Sequence, residues 1–172
     1  MVTAYWLLPT EPARSYFQNV IKGLAKRYAA PEFEPHVTAY VGVDCSDKVT
    51  EVLSILARRS KPITLRVLNV SNSSEFIKTL FVALASSVQL QRLNRNIRKA
   101  AQDSSPYQLN PHLSLLYKNL SAADRRRLTS LIEVPFTELT FNSLKAVRCV
   151  SPTKSRADVE TWRSTAEAPL SS

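Results

Sequence analysis

Two rhythms of apolar residues run along this chain, and the points where one gives way to the other mark out its elements. Val2 to Leu8 is short, apolar and rich in β-branched and aromatic side chains, and it stops at Pro9, which predicts a strand. From Glu11 to Tyr28 the spacing changes: Tyr16, Phe17, Val20, Ile21, Leu24 and Tyr28 recur at helical intervals while Lys22, Lys26 and Arg27 keep to the polar side. Ala29-Ala30-Pro31 ends that helix. His36 to Val43 alternates again and is β-rich, Ser46 suits the N-cap of a helix through Arg58, and Pro62 to Val70 with Phe76 to Ala85 predict a strand pair across Ser71-Asn72-Ser73-Ser74.

The order then repeats. A helix from about Ser87 to Ala101 leads through a polar loop, Gln102 to Asn110, into a strand from His112 to Tyr117. Ser121-Ala122-Ala123-Asp124 resembles a capping box, with Asp in place of Glu or Gln, and starts a helix through Ile132. Strands at Phe136 to Phe141, Leu144 to Val150 and Val159 to Ser164 complete the pattern, followed by a loose tail from Ala166 to Ser172. Each histidine strand thus follows a helix and a loop, and precedes a helix and strand pairs. This arrangement predicts an internal duplication within one domain spanning 1–172. The expected fold is α+β and bilobal, with two antiparallel sheets facing a central cleft and helices outside.

Composition adds bounds rather than a direction. A chain of 172 residues, 44% hydrophobic and 22% charged, is long enough to bury a core and near the averages of globular proteins, so disorder is not expected. No stretch approaches a membrane span, and the opening residues lack a basic region ahead of their apolar run, which predicts a soluble, cytoplasmic protein; a monomer is expected. Cys45 and Cys149 are too few and too far apart for a disulfide framework and read as reduced thiols. The net charge of +9 would draw the protein toward phosphate-bearing partners. The basic runs at Arg58-Arg59, at Arg92, Arg95, Arg98 and Lys99, and at Arg125-Arg126-Arg127 are nonetheless also what solvated helix faces look like.

The chemistry is concentrated in two phrases. The chain has only two histidines, and each follows a proline and precedes an apolar and then a hydroxyl residue: Pro35-His36-Val37-Thr38-Ala39-Tyr40 and Pro111-His112-Leu113-Ser114-Leu115-Leu116. Residues two apart in a strand share a face, so His36 pairs with Thr38 and His112 with Ser114. Facing strands would bring two imidazoles and two hydroxyls into one volume. Imidazole exchanges protons near neutral pH, so one histidine can take a proton from water or a hydroxyl while the other protonates a departing oxygen. Thr38 and Ser114 can donate to the non-bridging oxygens of a phosphodiester. That scheme calls for no metal and no cofactor.

These phrases, with Tyr5-Trp6-Leu7-Leu8-Pro9, Phe33-Glu34 ahead of the first, Tyr117 after the second and Glu160-Thr161-Trp162, resemble the signature of the 2H phosphoesterase superfamily over nearly the whole chain. Within it, the similarity is to the small cyclic phosphodiesterases of plants and yeast. The resemblance implies a metal-independent enzyme, taking part in the metabolism of tRNA splicing products, that opens nucleoside 2′,3′-cyclic phosphates and ADP-ribose 1″,2″-cyclic phosphate. It implies His36 and His112 as proton donor and acceptor, Thr38, Ser114 and Tyr117 as substrate contacts, and Trp6 as a base-stacking ring. Tyr117 lies five residues from His112 and would face away in a regular strand, so its role requires the strand to end or bulge.

Other readings stay open at this point. The basic runs would suit an enzyme acting on RNA bearing a 2′,3′-cyclic or 2′-5′ linkage, or a silent RNA-binding module whose histidines merely pack. A metal site made of His36, His112, Cys45 and Cys149 is conceivable by residue type, but its spacing matches no compact ligand pattern.

Overall fold

The computed structural model describes residues 1–44 and 48–171. Its elements, which follow the expected order through α4, are β1 (Val2–Pro9), α1 (Ala13–Tyr28), β2 (Val37–Val43), α2 (Val49–Arg58), β3 (Ile63–Asn72), β4 (Leu80–Leu84), α3 (Val88–Ala100), β5 (His112–Leu116), α4 (Ala122–Leu131), β6 (Glu138–Cys149), α5 (Arg156–Glu160) and β7 (Arg163–Pro169). Serine hydroxyls start three of the helices. Ser87 Oγ accepts from Leu90 N, and Ser121 Oγ accepts from Asp124 N. Ser121 is a cap without the full box, because its hydroxyl also donates to the Asp124 carboxylate at 2.8 Å. The reciprocal box is at Ser155, whose backbone N–H donates to Asp158 Oδ2 while its Oγ accepts from Asp158 N. The expected cap Ser46 lies outside the described residues.

The C-terminal quarter departs from the sequence reading. The two strands expected at Phe136 to Phe141 and Leu144 to Val150 are one twelve-residue strand, β6. Val159 to Ser164 is not a strand: its first part closes α5, and β7 starts at Arg163. The tail is tied down through 171, since β7 pairs with β6 as far as Pro169, Leu170 is buried, and Ser171 N donates to the carbonyls of Ala57 and Ser60. The polar, exposed pattern of β7 hid an edge strand whose support comes from backbone pairing and from α2.

All strand pairings are antiparallel, in the order β1-β2-β5-β4-β3-β6-β7, and an added β1–β6 pairing folds the network back on itself. Strand β6 is the shared spine. Its first residues pair with β3, the rest pair with β7, and its other edge pairs with β1 along almost its whole length. The two arms of the network, one carrying β1 and β2 and the other β4 and β5, meet at a single pair, Val37 with Leu113.

Strand parity sorts the side chains. Tyr5, Leu7, Val37, Ala39, Leu113 and Leu115 pack into the main core against Phe17 and Ile21 of α1, Leu53 of α2 and Ile97 of α3. Ala4, Trp6 and Leu8 turn the other way and form a smaller cluster with Val147 and Cys149. The helices cover the first face, and the cleft opens on the second. Both histidine strands carry a bulge at the same place. Against β1, the register passes from Trp6–Thr38 to Tyr5–Tyr40 and skips Ala39. Against β4, it passes from Phe81–Ser114 to Leu80–Leu116 and skips Leu115. Each bulge lies three residues after the histidine and reverses the parity beyond it.

Candidate active site

That reversal decides which side chains reach the cleft. Without it, Thr38 and Tyr40 would share a face; with it, Thr38 and Val41 do, while Ala39 and Tyr40 both turn to the core. In the second strand, Ser114 and Tyr117 line the cleft, and Leu115 and Leu116 go inward. The obstacle that regular parity raised against Tyr117 is removed by the bulge at Leu115. The cleft holds about 450 Å³, within the range of small-molecule sites. Trp6, His36, Thr38, His112, Ser114 and Tyr117 all line it, so all six residues singled out in the sequence come together in one volume.

The imidazoles are oriented in the same way. His36 Nδ1 lies 2.6 Å from the carbonyl oxygen of Glu34, and His112 Nδ1 lies 2.7 Å from that of Asn110. A carbonyl only accepts, so each Nδ1 carries the proton and donates it, which leaves Nε2 of the neutral ring with a free lone pair. The prolines between, Pro35 and Pro111, restrict Glu34 and Asn110 to extended backbone and hold each carbonyl in place.

Their surroundings lower both affinities for a proton. Burial pushes His36 down to about 4 against the pull of the Glu34 carbonyl, with the charges of His112 and Lys145 acting in the same direction as burial. His112 is also lowered, by burial first and by Lys78 next, while the Asn110 carbonyl and Glu75 oppose. The hydroxyls differ. Ser114 Oγ donates to the Ile77 carbonyl at 2.9 Å and neighbours the buried Tyr117 hydroxyl, whereas the Thr38 hydroxyl has no protein partner among the described residues. Tyr117 stacks on Phe33, with ring centroids 3.7 Å apart.

Trp6 lies in the cleft, but the ring it stacks on is its neighbour His36, at 3.7 Å and an interplanar angle of 13°. Only 6% of Trp6 is exposed, so it serves first as the wall of the His36 site rather than as an open platform for a base. Phe81 occupies the corresponding place beside His112, edge-on at 5.5 Å. Sequence reasoning passed over Phe81, although its register opposite Ser114 mirrors that of Trp6 opposite Thr38. It also passed over Tyr107 and Lys154, which line the cleft. The basic runs are partly structural. Arg98 donates to the carbonyls of Ser105 and Tyr107, and Arg125 to that of Leu120, while Arg92, Arg95, Lys99 and Arg126 are exposed. Cys149 is a buried thiol raised to about 11 by burial, and Cys45 lies outside the described residues. Among the described residues no helix is long and apolar enough to cross a membrane, and no three His, Cys, Asp or Glu side chains are grouped to hold a metal.

Known proteins share this fold. A curated cyclic phosphodiesterase of Arabidopsis thaliana is 24% identical over 173 aligned residues, covering 98% of this chain and 95% of that one. Solved structures of the Thermus thermophilus protein TT0787 and of E. coli LigT complexed with 3′-AMP superpose with TM-scores of 0.61 and 0.58 at 14% and 16% identity, over 99% of this chain and 98% of each of theirs. They establish a common fold. The family model described as cyclic phosphodiesterase-like protein matches residues 1–170, which takes in both histidine phrases, both bulges and the cleft between them. The chain therefore belongs to the cyclic phosphodiesterase-like family of 2H phosphoesterases.

Proposed function

We propose that the chain hydrolyses nucleoside 2′,3′-cyclic phosphates and ADP-ribose 1″,2″-cyclic phosphate to phosphomonoesters by proton transfer between two histidines. We read it further as a single domain of two pseudo-symmetric lobes, each supplying one histidine and one hydroxyl. The observation that carries the reading is the matched tethering of both imidazoles: each Nδ1 donates to the carbonyl two residues back, so each Nε2 is left for the cleft. In the reaction, one neutral Nε2 removes a proton from water as its oxygen bonds to phosphorus, and the other, protonated, gives its proton to the ester oxygen as the P–O bond of the ring breaks. Solvent then restores the two protonation states. Thr38 and Ser114 donate to the non-bridging oxygens, with Ser114 turning its hydroxyl from the Ile77 carbonyl to the phosphate, and Tyr117 stands beside it. These side chains cover proton transfer and charge stabilisation without a metal.

The relatives support this substrate class. The Arabidopsis protein is a cyclic phosphodiesterase by name, and E. coli LigT has been crystallised with 3′-AMP, a phosphomonoester of the kind that opening a 2′,3′-cyclic phosphate yields. The test is to incubate the protein, with and without a chelator, with 2′,3′-cyclic nucleotides, ADP-ribose 1″,2″-cyclic phosphate and RNA ending in a 2′,3′-cyclic phosphate, and to locate the phosphate in each product. Turnover of the small substrates that survives chelation is expected. Turnover confined to RNA and falling steeply with salt would transfer the site to the RNA-end reaction, and no turnover of any diester, with His36 and His112 indifferent to added phosphate, would leave a binding module.

A further inference from the structure

The two carbonyls that tether the histidines are alike, but what holds them is not. Asn110 is exposed, and its side chain has no hydrogen bond among the described residues. Glu34 is part-buried and clamped from two sides. One carboxylate oxygen receives Arg14 of α1 at 2.7 Å and the other receives Lys145 of β6 at 2.6 Å. Lys145 reaches on to Glu167 of β7 at 3.0 Å, and the other oxygen of Glu167 accepts from Ser143 Oγ. Lys145 pairs in register with Trp6, the residue stacked on His36, and only 13% of its side chain is exposed.

A lysine withdrawn from water in this way is a poor stabiliser. Desolvation offsets much of the Coulomb gain of a part-buried ion pair, and apolar replacements are often neutral. The clamp is also built on one side of a duplicated framework only, at the residue whose backbone oxygen fixes one imidazole. We infer that Lys145, acting through Glu34, is a positioning residue for His36: it holds the carbonyl that receives Nδ1–H, so that Nε2 stays aimed at the cleft, and it places a fixed positive charge behind the ring.

The charged groups facing His36 are few. They are His112 from β5 and Lys145 from β6, with the Glu34 and Glu167 carboxylates reached through Lys145 and Arg14 one contact further away. Trp6 and Phe33 cover the rest of the ring. The ammonium of Lys145 thus adds to burial and to His112 in keeping His36 neutral, while the Glu34 carboxylate keeps the ammonium charged.

The inference rests on the hydrolytic reading for its kinetics and not for its spectroscopy. Because the chain has two histidines, ¹⁵N–¹H spectra of the imidazoles report each one separately. In Lys145→Met, the His36 pKa should rise above about 4, its single Nδ1–H tautomer should be lost, and the His112 signals should stay unmoved. On a 2′,3′-cyclic nucleotide, kcat should fall about 10- to 100-fold with KM little changed, as expected when a reacting group is misplaced while substrate binding is kept. Lys145→Arg should restore both readings. Should Lys145→Met fail to fold, Glu34→Gln breaks the same clamp and should give the same loss of the single tautomer and of kcat, while the His36 pKa should not rise because Glu167 keeps the ammonium in place. A Lys145→Met protein that keeps the wild-type His36 pKa, tautomer and kcat, or a Glu34→Gln protein that keeps the tautomer and kcat, overturns the inference. A wild-type protein that hydrolyses no cyclic phosphodiester overturns the function and leaves the spectroscopic result to decide the positioning alone.

Discussion

His36 lies face to face with Trp6 and is 6% exposed, whereas His112 meets only the edge of Phe81 and is half-buried. The rest of the two sites is duplicated: a proline before each histidine, a carbonyl two residues back, a hydroxyl two residues on and a bulge one residue beyond that. The shared parts set where each Nε2 points. The unshared parts shift how readily each ring holds a proton: the Trp6 stack and the Glu34 clamp belong to the His36 side, and burial, which acts on both rings, is deeper there. On the His36 side the Glu34 residue and its clamp bear on both orientation and proton affinity.

The sharpest way to break this comparison is to remove each imidazole. His36→Ala and His112→Ala should each lower kcat/KM by about 10²- to 10⁴-fold, and the double variant should lose little more, because a proton donor and acceptor act as one unit. Additive losses would mean that the two rings serve separate steps. The hydroxyls should come next, at about 10²-fold each for Thr38→Ala and Ser114→Ala in kcat/KM. They should differ in stability. Removing the Ser114 hydroxyl orphans the Ile77 carbonyl and should cost about 1 kcal/mol, whereas the Thr38 hydroxyl has no protein partner among the described residues and its loss should leave the melting temperature unchanged.

The pH dependence of stability separates the histidines themselves. His36 is held near 4 in the folded protein and returns to about 6.5 when unfolded, so below pH 6.5 the unfolded chain takes up a proton that the folded one refuses. Stability should therefore be full above pH 6.5 and fall through the window down to about 4, by about 3 kcal/mol at most. His112 shifts in the same direction, so its replacement should remove a smaller part of the slope. Denaturant melts of His36→Asn and His112→Asn between pH 7 and pH 4 read this directly. If the His36 variant keeps the wild-type slope, the burial of His36 is not what sets it.

Much of this was legible in the residues. The duplicated phrase gave the pairing of His36 with Thr38 and of His112 with Ser114, because a period of two is the plainest signal a strand carries. The bulge at Leu115 was legible only as one of two ways to bring Tyr117 round, and that at Ala39 was not legible, since nothing local at either residue marks an insertion; both arise from registers with β1 and β4. The role of Trp6 as the wall of His36 was hidden for the same reason, as it depends on which strand lies beside β2. Lys145 had no signal at all: a lone lysine at an alternating position of β6 reads as solvent-facing until Glu34, 111 residues earlier, is brought to it. The C-terminal errors share a cause, for the exposed residues of β7 and the merger of two expected strands into β6 are set by pairing partners rather than by apolar pattern.

The smallest expected effect tests a side-chain strap along the edge of β2 where its ladder with β5 stops. Beyond Val37–Leu113, the β5-side edge of β2 is held by side chains: Asn94 Nδ2 donates to the Ala39 carbonyl, Ser105 Oγ to that of Val41, and Tyr107 OH to that of Thr38 at 3.0 Å. Tyr107→Phe keeps the ring, which packs edge-on against Tyr40, and removes only the donor. It should cost about 1 kcal/mol, or about 2–4 °C in melting temperature, as a single lost hydrogen bond does. Because the lost bond holds the backbone of Thr38, kcat should also fall, by about 2- to 5-fold, a loss no larger than that single bond. A variant with the same stability loss and unchanged kcat would show that the strap joins the arms without aiming Thr38. The position of the first hydroxyl would then be set by the bulge at Ala39 alone, as that of Ser114 is by the bulge at Leu115.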